Sequence, residues 1–62
     1  MSKDKDVLED LVINYIEELE IYDVGFRNPQ LDKKRQLEIL SNMSEVSYKL
    51  HRACEDLRKE IK

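Results

Sequence analysis

The chain has 62 residues, 40% of them charged, and its 14 acidic and 11 basic side chains leave a net charge of -3. A length of this order holds one domain with a small core, and a lone cysteine and a lone histidine exclude both an internal disulfide and a complete structural zinc site within one copy. No apolar run approaches the roughly 20 residues of a membrane span, and the opening Met1-Ser2-Lys3-Asp4-Lys5-Asp6 has no apolar signal-peptide core, so a cytoplasmic location without a membrane partner is expected.

In the first half, Leu8, Leu11, Val12, Tyr15, Ile16, Leu19 and Tyr22 recur at three- and four-residue steps, and Phe26 continues the series. That spacing predicts an amphipathic helix over about 5–23. Asp4, Asp6, Glu9 and Asp10 crowd its first turns, where negative charge favours the positive end of the helix dipole.

The only glycine and the only proline, Gly25 and Pro29, fall close together after this stripe. A left-handed glycine ends a helix at little cost, and proline suits a first helical turn, so a break at 24–28 is predicted with Asn28 as the next N-cap and Pro29 as the first helical residue.

The second helix is predicted over about 29–60. Ile39, Met43, Val46, Leu50, Ala53 and Leu57 alternate steps of four and three, which is a heptad seam, and Gln36, Leu40, Met43, Ser47, Leu50, Cys54, Leu57 and Ile61 form an overlapping one. A helix with one neighbour needs a narrow stripe, whereas two overlapping seams suit a helix with two neighbours in a bundle. The fold class is therefore all-α: a two-helix antiparallel hairpin, expected to pair into a four-helix bundle homodimer.

Charge supports that architecture. Residues 1–24 carry two basic and eight acidic groups, and residues 25–62 carry nine basic and six acidic groups, so the arms have net charges of -6 and +3. Arms of opposite sign attract, within one copy or between copies.

Several features stand outside this framework. Ile13, Ile21 and Val24 lie on the far side of helix 1, and Leu31, Leu37 and Tyr48 lie off the main face of helix 2. Lys33-Lys34-Arg35 places three cations in the early turns of helix 2, against the dipole. Ile13, Ile21, Lys33, Lys34, Arg35 and Leu37 are thus the candidate partner-binding residues, and the expected role is a small regulatory protein that binds another protein through its hairpin. His51 and Cys54 stand one turn apart with Glu55 beside them, but His-x-x-Cys is too short a pattern to specify a metal, and Cys54 lies on an apolar seam. Ser41, Ser44 and Ser47 have no matching His and acid, so a self-contained enzyme, catalytic residues and a cofactor are not expected.

Two family resemblances qualify this reading. Leu31-Asp32, Gln36, Ile39, Leu50, Arg52 and Cys54 match, without a gap over about 24 residues, the second helix of the Rop family of plasmid RNA-binding proteins, and Leu40, Met43 and Ser47 fall at that family's core positions. The resemblance implies a dimeric four-helix bundle and binding of structured RNA, with Tyr15 at the place of an RNA-contacting aromatic. Glu17, Glu18 and Glu20 around it make an acidic surface that disfavours phosphate. The turn Gly25-Phe26-Arg27-Asn28-Pro29-Gln30-Leu31 is similar to that of the short aspartyl-phosphate phosphatases of sporulation control. This second resemblance implies action on a phosphorylated response regulator through Gln36 and Glu38, although Arg35-Gln36-Leu37-Glu38 lacks the serine and one spacer of their Ser-Gln-x-Leu-Asp signature.

Overall fold

In the computed structural model, which describes residues 2–61 and side chains from Asp4 to Ile61, α1 spans Ser2–Phe26 and α2 spans Lys33–Ile61. The two helices pack antiparallel along their length into a rod of 47 × 14 × 13 Å. At 1.5 Å per residue the 29 residues of α2 account for nearly all of the long dimension. The radius of gyration is 14.4 Å, against about 11 Å for a compact chain of this length.

The heptad seam of α2 forms the core. Ile39, Val46 and Ala53, seven residues apart, are buried at 8%, 4% and 5% exposure, while Met43, Leu50 and Leu57 between them are half-buried. From α1, Leu8, Leu11, Val12, Tyr15, Leu19, Tyr22 and Phe26 meet this line half-buried, as their spacing predicts. Among the described residues no side chain is buried completely, because two cylinders touch along one line and leave both sides of it open. Among the described residues no helix is long and apolar enough to cross a membrane.

The turn differs from the sequence expectation. Gly25 is helical with negative φ, so the helix does not end on a left-handed glycine. A Cβ on Gly25 would lie 3.8 Å from Ile39 Cδ1, an ordinary van der Waals distance. The helix stops at Asn28-Pro29 instead, because proline disfavours the α conformation in the residue before it. Arg27 N–H still donates to Asp23 O at 3.1 Å, and Asn28 N–H turns back to Gly25 O at 3.3 Å.

Asn28 and Pro29 then build a β-turn rather than a helix start. Leu31 N–H donates to Asn28 O at 3.1 Å, and the Asn28 side chain accepts from Gln30 N–H at 3.0 Å, with Pro29 at the turn position that its fixed φ favours. Asp32 is the true N-cap: its carboxylate accepts from Arg35 N–H at 2.8 Å, and its carbonyl accepts the first helical bond from Gln36 N–H at 3.0 Å. Residues 27–32 thus form the connection, in place of 24–28, and α2 begins four residues later than the sequence pattern suggests.

These assignments predict opposite signs for neighbouring substitutions. Gly25→Ala stabilises the protein by up to about 1 kcal/mol, because alanine fits the space and loses less backbone entropy in the helical conformation of the last turn of α1; a left-handed glycine would make the same change destabilising. Asp32→Ala lowers stability by about 1 kcal/mol through loss of the cap. Thermal unfolding followed by circular dichroism reads both.

Candidate functional site

Two sides of the interhelical seam differ in chemistry. On one side, Ile16 and Leu19 of α1 and Leu40, Met43, Ser44 and Ser47 of α2 line an open groove of about 590 Å³. Glu20 and Asp23 border it along α1. Ile16 and Leu40, each 45% exposed, are large apolar residues in this groove that the hairpin leaves partly uncovered.

On the other side, a recess of about 220 Å³ is framed by Leu8, Leu11 and Tyr15 of α1 and by Tyr48, Lys49 and Arg52 of α2. The Arg52 guanidinium lies 6.0 Å from the Tyr48 ring centroid, and its Nη1 donates to the Tyr48 hydroxyl at 3.1 Å. That hydrogen bond, followed by the charges of Tyr48 and Asp56, holds the Arg52 pKa above its ordinary value. A third recess of about 400 Å³ at the open end of the rod is bordered by Asp4, Val7 and Leu8 on α1 and Asp56, Lys59 and Glu60 on α2.

The loop end gathers most of the partner-binding candidates. Ile21 and Leu37 are 71% and 63% exposed, and Val24, in the last turn of α1, is 72% exposed. Lys33, Lys34 and Arg35 occupy the first turn of α2 on the same end of the rod, all exposed. The Asp32 cap places a carboxylate beside them, and Arg35 Nη1 meets Glu38 Oε1 at 2.8 Å, so the dipole conflict seen in the sequence is partly compensated locally. Arg27 pairs with Asp23 at 3.0 Å across the end of α1. Ile13 does not join this cluster: it is exposed, but lies eight residues from Ile21, about 12 Å along the helix.

The residues named by the two resemblances are separated. Tyr15 is half-buried against the Tyr48–Arg52 recess. Gln36 is half-buried, whereas Glu38 is exposed and paired with Arg35, and two residues of helix set them about 200° apart. His51 and Cys54 are both exposed, and Glu55 bonds Arg58 at 2.6 Å. Among the described residues no three His, Cys, Asp or Glu side chains gather as a metal-ligand set.

Sequence spacing assigned Ile16 to the core of α1 and Leu40 to the second seam of α2; the structure places both on the rim of the groove. The overlapping seam was the available signal for it, since its members Leu40, Ser47, Cys54 and Ile61 are all exposed in the hairpin. Comparison with protein-family models, with curated proteins and with solved structures gave no match.

The exposure differences predict separable effects. Ile21→Ser and Leu37→Ser each change stability by less than about 0.5 kcal/mol, as surface substitutions do. Ile39→Ala costs about 2–5 kcal/mol, as loss of a buried branched side chain does. Urea unfolding of the three variants checks the contrast.

Proposed function

We propose that this chain is a small regulatory interaction protein, a homodimer of helical hairpins whose loop end binds an acidic and partly apolar surface of a partner protein. The observation that carries this reading is that exposed Ile21, Val24 and Leu37 lie in the loop-proximal part of the rod with Lys33 and Lys34. Residues 25–37 hold four cations and one acid, giving +3 within a chain whose net charge is -3. Exposed apolar side chains next to cations supply both parts of a protein-binding surface: area to bury, and a field that selects the sign of the partner.

The mechanism is masking or scaffolding. Lys33 and Lys34, strongly hydrated point charges on long flexible stems, steer an acidic surface towards the loop, and Leu37, Ile21 and Val24 are covered when it docks. A homodimer fits the same frame, since a hairpin with three buried side chains gains from a second copy. The exposed thiol of Cys54, with no second cysteine to pair with, is compatible with a reducing cytoplasm.

Affinity capture from the native host tests the proposal, with wild type, Leu37→Ser and Lys33→Glu/Lys34→Glu compared by mass spectrometry and RNA sequencing of the eluates. The expected result is one protein enriched by wild type and reduced about tenfold or more by the charge reversal, equivalent to about 1.4 kcal/mol or more. Undiminished capture by both variants overturns the loop-end assignment. A structured RNA released by moderate salt points to the Rop-like alternative, and faster loss of acyl phosphate from a captured response regulator points to the phosphatase alternative.

A further inference from the structure

The two flanks of the interhelical seam show which one is covered and by what. A seven-residue step returns to nearly the same side of a helix, so each groove-lining residue defines a row. The α2 row through the large groove reads Leu40, Ser44, Ser47, His51 and Cys54, uncharged along this stretch, with Leu37 and Lys33 beyond it at the loop end and Arg58 beyond it at the other. The α2 row through the small recess reads Glu38, Asn42, Glu45, Lys49, Arg52, Asp56 and Lys59, charged at every position but Asn42. In a chain that is 40% charged, one flank has the composition of a solvated surface and the other that of an interface.

The geometry points to a second copy of this chain on the large groove, in a four-helix bundle with both loops at the same end. This inference rests on the homodimer reading above and specifies its face and topology. The area is sufficient: the hairpin exposes 5176 Å², whereas a compact protein of 7.4 kDa exposes about 4,200 Å². The difference, about 1,000 Å², is of the size each partner contributes to a stable interface, about 800 Å².

Charge selects between the two ways of stacking two hairpins groove to groove. The α1 row on this flank carries Asp6, Glu9, Glu20 and Asp23 beside Ile13 and Ile16, and no cation. With loops at opposite ends, α1 lies along the α1 of the second copy, and Glu20 and Asp23 come level with the second copy's Asp6 and Glu9. With loops at the same end, each α1 lies along the α2 of the second copy, whose row on this flank has no acid and ends in Arg58. Glu20 then comes level with the Ser44 hydroxyl, Asp23 stays paired with Arg27 of its own chain, and Asp6 comes level with Arg58, which is held by Glu55 within its own chain. The same-end arrangement also stacks the grooves at one level, since both lie in the loop-proximal half of the rod. Fewer like charges thereby face each other than in the opposite-end arrangement.

A consequence for function is that the two loop ends, each with Lys33, Lys34 and Leu37 beyond the groove, stand side by side and present one enlarged basic and apolar surface.

Dipolar electron resonance on Gln30→Cys in a Cys54→Ser chain, nitroxide-labelled at about 200 μM, tests the arrangement, with sedimentation of the same sample. Expected are a dimer and a label separation below about 30 Å, since packed helices lie about 10 Å apart and the label arms add the rest. A separation near the 47 Å length of the rod leaves the dimer and overturns the same-end topology. A monomer with no dipolar signal overturns the homodimer itself. Leu40→Asp, with helicity checked by circular dichroism, is expected to abolish the signal, and Glu45→Gln on the charged flank to retain it. Survival of the short distance in Leu40→Asp overturns the groove as the contact face.

Discussion

A line of three side chains, Ile39, Val46 and Ala53, carries the burial in this hairpin, and its geometry constrains everything else. Seven residues separate each from the next, which keeps the line facing α1 over the length of the rod. Burying the larger two contributes about 1.5–3 kcal/mol apiece, before any gain from the half-buried residues alongside. Two helices in contact cannot surround that line, so the residues next to it stay partly open. The placement of the open residues, and the charge on either side, then decide which surfaces can bind.

That constraint explains why the flanks diverge. Along α2 the charged row carries Arg52 stacked on Tyr48, with Lys49 and Asp56 beside them. An exposed ion pair such as Arg35–Glu38 adds little stability but keeps a surface solvated. Between Lys33 and Arg58 the other row has nothing to attract water beyond serine hydroxyls and His51. A helix of 29 residues with one wet flank and one dry flank has the composition of an element with neighbours on two sides.

The connection performs two tasks at once. Asn28-Pro29 ends α1 and turns the chain, and Asp32 caps α2 while offsetting the cations that follow it. Three cations at a helix N-terminus oppose the dipole, and a capping carboxylate with the Glu38 partner reduces that cost without removing the exposed charge of Lys33 and Lys34. The loop end therefore combines a hydrogen-bonded turn and cap with an exposed basic and apolar surface.

Periodicity alone determined the all-α class, the two arms and the seam, because apolar residues at steps of three and four have one low-energy arrangement in water. Ile39, Met43, Val46, Leu50, Ala53 and Leu57 were legible as that seam, and Ile21 and Leu37 as exposed. The helix boundaries at the turn were not: Asn28 and Asp32 are both good N-caps by composition, and only the hydrogen bonds show that Asn28 caps the β-turn while Asp32 caps the helix. Gly25 carried a strong stop signal, yet helical backbone bonds run past it to Arg27, so its conformation was decided by its surroundings. The groove, too, belongs to the tertiary structure. Ile16 and Leu40 read as seam residues because periodicity cannot tell the centre of a contact from its edge. Only the packing of α1 on α2 fixes which seam is filled by the hairpin and which is left for another surface.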